Sequence, residues 1–236
     1  MKENQHLRDV IAGAINRRQV REVEDAHEGG WVADRSDFLS YEEYFAMDLG
    51  QLGVREHLLS VPNPTVVDLM SPTNALSDLF DSLPQVDKLG ISVSTLNYQR
   101  SPQQELEDES KRVYPVCGDL LTPEAWKEMD EKLNGRPIDF LVERALSGII
   151  FLPLDRDIYE IGSRLIWERV NPNGGIILAQ IPSAFQFAGI NVNLHGWINR
   201  LNKSGIDARY GGGNFPNTGK LLLKRFPDSP SSLPRF

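Results

Sequence analysis

Apolar and polar positions follow two different periods along the chain. Leu7, Val10, Ile11, Ala14 and Ile15 recur at the three-and-four spacing of a helix with one buried face, and Gly29-Gly30 ends that pattern. Ser40 followed by Tyr41-Glu42-Glu43 has the layout of a capping box and predicts a second helix running to about Ser60. Val61-Pro62-Asn63-Pro64 cannot extend it, because each proline removes a donor and biases its predecessor toward extended backbone.

From Thr65 the pattern changes to short β-branched runs separated by helical stretches. Strands are predicted at 65–69, 88–93, 112–117, 138–142 and 176–181. Helices are predicted at 75–83, from Thr122-Pro123-Glu124 onward, around Ile158, Ile161 and Leu165 as far as Val170, and around Leu194, Trp197, Ile198 and Leu201. The stretch 101–111 is acidic and too polar to be core. Two further strands, 206–210 and 220–225, are joined by Gly211-Gly212-Gly213 and lie too close for a helical crossover, so they must pair antiparallel. The last residues, 227–236, hold three prolines and three serines and are predicted to be disordered. The organisation expected is a helical extension over 1–60, an α/β domain over 61–226 with helices on both faces of a mostly parallel sheet, and a tail over 227–236.

Composition narrows the class of protein. At 236 residues the chain is long enough to bury a substantial core without a staple, and its one cysteine, Cys117, allows no internal disulfide. With no apolar stretch of membrane-spanning length and a polar start, a soluble, cytoplasmic protein is expected, with no membrane partner. The net charge of −8 makes nucleic acid an unfavourable partner. Arg17, Arg18 and Arg21 are followed directly by Glu22, Glu24 and Asp25, the composition of a solvated helix face.

Five parallel strands closed by an antiparallel hairpin resemble the class I S-adenosylmethionine-dependent methyltransferases, a Rossmann-like α/β fold of seven strands. The most specific piece is Trp167-Glu168-Arg169-Val170-Asn171-Pro172-Asn173-Gly174-Gly175-Ile176-Ile177-Leu178, similar to that family's helix, Pro-Gly-Gly turn and fifth strand. In open α/β sheets ligands sit beyond the carboxyl ends of the strands at the switch in strand order. The resemblance implies that S-adenosylmethionine would lie there, against four segments of this chain.

In Val66-Val67-Asp68-Leu69-Met70-Ser71-Pro72-Thr73-Asn74, Asp68 matches the family's acid, while Met70, Ser71, Pro72, Thr73 and Asn74 stand where it has a glycine-rich turn. Met70 puts a long side chain near the ligand's space and Pro72 removes a donor; Ser71, Thr73 or Asn74 can still cap a helix and offer a polar group. In Gly90-Ile91-Ser92-Val93-Ser94, Ser92 stands at the position of the family's ribose-binding acid. A hydroxyl is a weaker acceptor than a carboxylate, so weak cofactor binding is expected, and Ser92→Asp is expected to strengthen it if the pocket is open. In Val116-Cys117-Gly118-Asp119-Leu120, Asp119 and the backbone amide of Leu120 match the positions that contact the adenine. Glu143, in Glu143-Arg144-Ala145-Leu146-Ser147, faces the transferred methyl group in the resemblance. It is the catalytic candidate if its pKa is raised; a simple ion pair with Arg144 is the alternative.

Other chemistries lack their signatures. There is no Gly-x-Gly-x-x-Gly after a strand, no Walker motif and no Gly-x-Ser-x-Gly elbow, and His6, His27, His57 and His195 lack metal-ligand spacing. Two functions remain. One is methyl transfer to a small molecule or protein side chain, which needs orientation more than a fixed catalytic set. The other is a non-catalytic scaffold that has lost the cofactor, favoured by residues 70–74 and by Ser92. The N-terminal helices would then cover the pocket or meet a partner protein.

Overall fold

The computed structural model describes residues 40–45, 47–69, 74–94, 101–118, 120, 123–143, 156–182, 193–212 and 218–235. In chain order the elements are α1 (Tyr41–Phe45), α2 (Val54–Ser60), β1 (Thr65–Leu69), α3 (Asn74–Asp81), β2 (Leu89–Ser94), α4 (Pro102–Lys111), β3 (Val113–Cys117), α5 (Pro123–Leu133), β4 (Phe140–Glu143), α6 (Arg156–Arg169), β5 (Ile176–Pro182), α7 (Leu194–Lys203), β6 (Asp207–Gly212) and β7 (Thr218–Lys224).

The strands form one sheet in the order β3-β2-β1-β4-β5-β7-β6. β1 to β5 are parallel, and β7 runs antiparallel to both β5 and β6. This is the Rossmann-like class I methyltransferase arrangement expected from the sequence, with β1 inside the sheet between β2 and β4. The strand order reverses between β1 and β4, which places the ligand crevice of an open α/β sheet at their carboxyl ends.

Alternation along each strand sends side chains to two separate cores. Val67, Leu69, Ile91, Val93, Leu141, Ile177 and Ala179 pack with Trp126 and Met129 of α5, Trp167 of α6 and Trp197 and Leu201 of α7. Val66, Phe140, Val142, Ile176 and Leu178 pack on the other face with Tyr41 and Phe45 of α1, Leu58 of α2 and Leu76 and Phe80 of α3.

The amino ends of the central strands are tied together by Asp139. Its carboxylate accepts from the Thr65 amide (2.8 Å) and the Asn171 side-chain amide (2.7 Å). His57 Nε2, on α2, lies 3.6 Å from the same carboxylate. The strand predicted from 138 therefore starts at Phe140: Asp139 turns its side chain onto β1, and Ile138 keeps only an isolated bridge to Val170. The turn into β5 needs glycine at 174, where φ is +111° and a Cβ would stand 3.1 Å from the His57 ring.

Two expectations are corrected, and one stretch that was given no element is found to hold a helix. The helix expected over 41–60 is two helices, because the chain turns at 49–53 and enters α2 through Gly53 at φ +74°. The polar stretch 101–111 contains α4, a helix whose amino end is closed by a capping box between Ser101 and Gln104. The tail expected to be disordered is packed. The Trp167 indole donates to the Pro230 carbonyl and the Trp197 indole to the Pro234 carbonyl, each at 2.8 Å, and Ser229 donates to the Gly205 carbonyl at 2.7 Å. Leu233 packs against the core beneath. A proline-rich segment lacks amide donors but keeps every carbonyl, and two tryptophans supply the donors. The helix expected from Leu7 to about Val20 lies outside the described residues.

Candidate functional site

The carboxyl end of β1 brings Asp68 to the penultimate position of a strand in which every side chain is buried. The Tyr41 hydroxyl, arriving from α1, donates to Asp68 Oδ2 at 2.7 Å. Ser92 is buried, two residues before the end of β2, and is the register neighbour of Asp68 on one side and Pro115 on the other. Register partners in a parallel pair point to the same face, so Asp68 and Ser92 share the face covered by α1, α2 and α3.

Leu120 follows β3 and is buried in the opposite core, where its carbonyl accepts the Trp126 indole N–H at 2.8 Å. Asn74 is the first residue of α3, placed here by its backbone alone. Ser71 and Asp119 lie outside the described residues, as do Met70, Pro72, Thr73 and Arg144. The structure thus brings Asp68 and Ser92 together and sets Leu120 on the other side of the sheet.

Glu143 closes β4. Its register neighbours are Leu69 of β1 and Ala179 of β5, both buried. Its side chain is 5% exposed, and Oε1 is buried without a hydrogen-bond partner. Burial in these surroundings disfavours the charged form and raises the Glu143 pKa from 4.5 to about 8. The alternative of an ion pair with Arg144 lies outside the described residues.

An acceptor buried at the carboxyl end of a strand beside the switch in strand order can receive a proton or a hydrogen bond from a molecule seated there. Unmet buried polar atoms are rare in folded proteins and cost about 1–3 kcal/mol when unpaired. Sequence reasoning had missed two residues, Tyr41 at this end of the central strands and Asp139 at the other. Tyr41 reads only as part of a helix start, and Asp139 only as part of a strand; their partners are 27 and 74 residues away, so no local signal finds them. Among the described residues no cluster of three or more His, Cys, Asp or Glu suits a metal ion, and no helix is long and apolar enough to cross a membrane.

No protein-family model matches the chain, and no curated protein matches its sequence. Among solved structures it is similar to the O-methyltransferase from Bacillus cereus in complex with SAH, at 12% identity over 94% of this chain and 95% of that one, with a TM-score of 0.48. It is also similar to a putative O-methyltransferase from Klebsiella pneumoniae, at 14% identity over 94% and 98%, with a TM-score of 0.46. A third similar structure is a precorrin-6Y C5,15-methyltransferase from Geobacter metallireducens, at 11% identity over 82% and 96%, with a TM-score of 0.39. Likeness at this level concerns the path of the chain and does not reach the site.

Proposed function

We propose that the chain binds S-adenosylmethionine beyond the carboxyl ends of β1 to β4 and assists transfer of its methyl group to a small molecule or protein side chain. The observation that carries this reading is Glu143: a buried carboxyl at the end of β4, with one oxygen unpartnered and its pKa raised to about 8. A group of that kind suits both a cationic ligand and a proton to be removed. The bound sulfonium would supply an activated methyl carbon. The residues of this chain would then do two things. Asp68, with the segment 70–74 that follows it, Ser92, and Asp119 and Leu120 after β3 would hold the ligand. Glu143 would orient the acceptor and take its proton as the new bond to carbon forms and the bond to sulfur breaks.

The fit is partial, which supports weak rather than tight binding. The ribose-binding acid of the resemblance is replaced by Ser92, and the structure buries that hydroxyl on the Asp68 face. The same feature favours the second reading, a non-catalytic scaffold that has lost the cofactor.

Incubation with tritiated-methyl S-adenosylmethionine and fractionated small-molecule and protein extracts separates the two. The enzyme reading expects label on an acceptor from the wild-type chain, reduced by about 10²-fold or more in Glu143→Gln, the scale of general acid–base assistance. No label from the wild-type chain, or equal label from the variant, contradicts the role given to Glu143.

A further inference from the structure

We infer that Asn202 guards the outer edge of the sheet, holding β6 closed to strand addition by a second copy of this chain. The guard is independent of the ligand proposed above.

The strands at the ends of the sheet are β3 and β6. An edge strand presents every second N–H and C=O to whatever lies beside it, which makes it a template for another chain. On β3 the sequence blunts the edge. The Gly90 amide of β2 donates to the Arg112 carbonyl, so in this parallel pair Arg112, Tyr114 and Val116 face β2, while Pro115 faces outward without a donor. β6 contains no proline. The Arg225 amide donates to the Gly175 carbonyl before β5, so Leu221 and Leu223 of β7 face β5 while Lys220, Leu222 and Lys224 face β6. The partners of these three on β6 are Gly211, Arg209 and Asp207, which leaves Ala208, Tyr210 and Gly212 turned outward.

Asn202, near the end of α7, takes the outer place beside Ala208. Its Oδ1 accepts from the Ala208 amide at 3.0 Å, and its Nδ2 donates to the Ala208 carbonyl at 2.9 Å. Those are the two bonds that a residue of a neighbouring antiparallel strand would exchange with Ala208. Nδ2 also donates to the Ile198 carbonyl, one turn back on α7, at 3.1 Å, which fixes the amide in this orientation. Gly205, at φ +84°, turns the chain from α7 into β6 and lets the two residues meet. A side-chain amide suits the place because it holds both a donor and an acceptor, which neither a hydrocarbon nor a carboxylate does. Charge, another common guard of strand edges, is cancelled on β6, where Arg209 and Asp207 pair at 2.7 Å. Ala208 is buried, so its amide and carbonyl need partners. Without Asn202, a second β6 running antiparallel across a two-fold axis can meet both, and that pairing is self-complementary.

Light scattering over a rising concentration series reads the guard in wild type, in Asn202→Ala and in Asn202→Ala combined with Arg209→Glu. Wild type should keep one mass throughout. Asn202→Ala should climb toward about twofold that mass as concentration rises. Arg209→Glu replaces the ion pair on the edge with two like charges, so the double variant should return to the wild-type mass at low salt. Thermal unfolding in parallel shows which variants are folded. A folded Asn202→Ala of unchanged mass overturns the inference, and so does a wild-type mass that rises in step with it. Association that the double variant retains overturns it too, because it then runs through another surface. A second measurement needs no variant. In the wild-type chain the Ala208 amide, bonded to Asn202, should exchange about as slowly as the Arg209 amide, which faces β7. Rapid exchange at Ala208 overturns the guard even if Asn202→Ala does not fold.

Discussion

Asp68 and Glu143 stand on adjacent strands one register step apart, yet their side chains point to opposite faces of the sheet. Leu69, not Asp68, is the register partner of Glu143. Asp68 meets Tyr41 on the face covered by α1, α2 and α3, while Glu143 shares the face of Leu69 and Ala179. The sheet lies between the two carboxyls: Asp68 Oδ2 accepts the Tyr41 phenol, and Glu143 Oε1 is buried on the other face without a hydrogen-bond partner. The two acids that the resemblance placed in one pocket therefore point into different surroundings.

Stability should fall with rising pH through the action of Glu143. Its pKa is 4.5 in the unfolded chain and about 8 in the folded one, so between these values the folded state holds a proton that the unfolded state has lost. The folded state is then favoured less as pH rises, and the trend levels off above about pH 8. Full development of such a shift corresponds to roughly 3–5 kcal/mol. Denaturant unfolding from pH 5 to 8 should show a slope for the wild-type chain that is reduced in Glu143→Gln. Equal slopes would mean that Glu143 titrates as an exposed carboxyl.

Asp139 should matter for folding and not for the ligand. Asp139→Ala leaves the buried Thr65 amide and the Asn171 side chain without an acceptor, a loss of about 2–4 kcal/mol in unfolding free energy. The cluster sits at the amino ends of β1 and β4, away from the crevice. The measurement is chemical denaturation beside ligand titration, and a variant of full stability would show that the cluster holds nothing together.

Much of the fold is legible in the sequence because its strands are β-branched runs bounded by proline, glycine or asparagine, as at Pro64-Thr65 and Gly175-Ile176. What escaped has physical reasons. α4 presents no apolar stripe, and Leu106 on it is 68% exposed, so periodicity is silent; its signal was the Ser101–Gln104 capping box. The tail reads as disordered by composition, but its order comes from indole donors on α6 and α7 more than thirty residues away. The position of Glu143 at a strand end is visible in the sequence. Its missing partner is a property of the assembled sheet and is not.

Removal of residues 227–236 should destabilise the domain. It uncovers the Trp167 and Trp197 indoles, which donate to Pro230 and Pro234, and exposes the surface under Leu233. With the Ser229–Gly205 bond, three lost hydrogen bonds and one half-buried leucine correspond to about 3–5 kcal/mol. A truncated chain with an unchanged unfolding midpoint would contradict the packing of the tail.

Ser92→Asp should not rescue cofactor binding, contrary to what the sequence alone implies. Ser92 is 2% exposed and stands beside Asp68 on the same face of adjacent strands. A second carboxylate there is buried against the first, and one of the pair must take up a proton or the fold must loosen. A loss of about 1–3 kcal/mol in stability is expected, with no gain in affinity. Tighter ligand binding at unchanged stability would show that this face accommodates a second ionised carboxylate beside Asp68.

The central claim is that this fold still holds an adenosyl ligand at the carboxyl ends of β1 to β4. Calorimetric titration of the wild-type chain with S-adenosylmethionine and with its demethylated product tests it most directly. The account predicts saturable one-to-one binding of both. Affinity should be about ten- to hundredfold weaker than a ribose-binding carboxylate would give, because Ser92 stands in its place. Low-micromolar or tighter affinity would contradict the part assigned to residues 70–74 and Ser92. Absence of binding by either compound at millimolar concentration would contradict the claim itself and leave the scaffold reading.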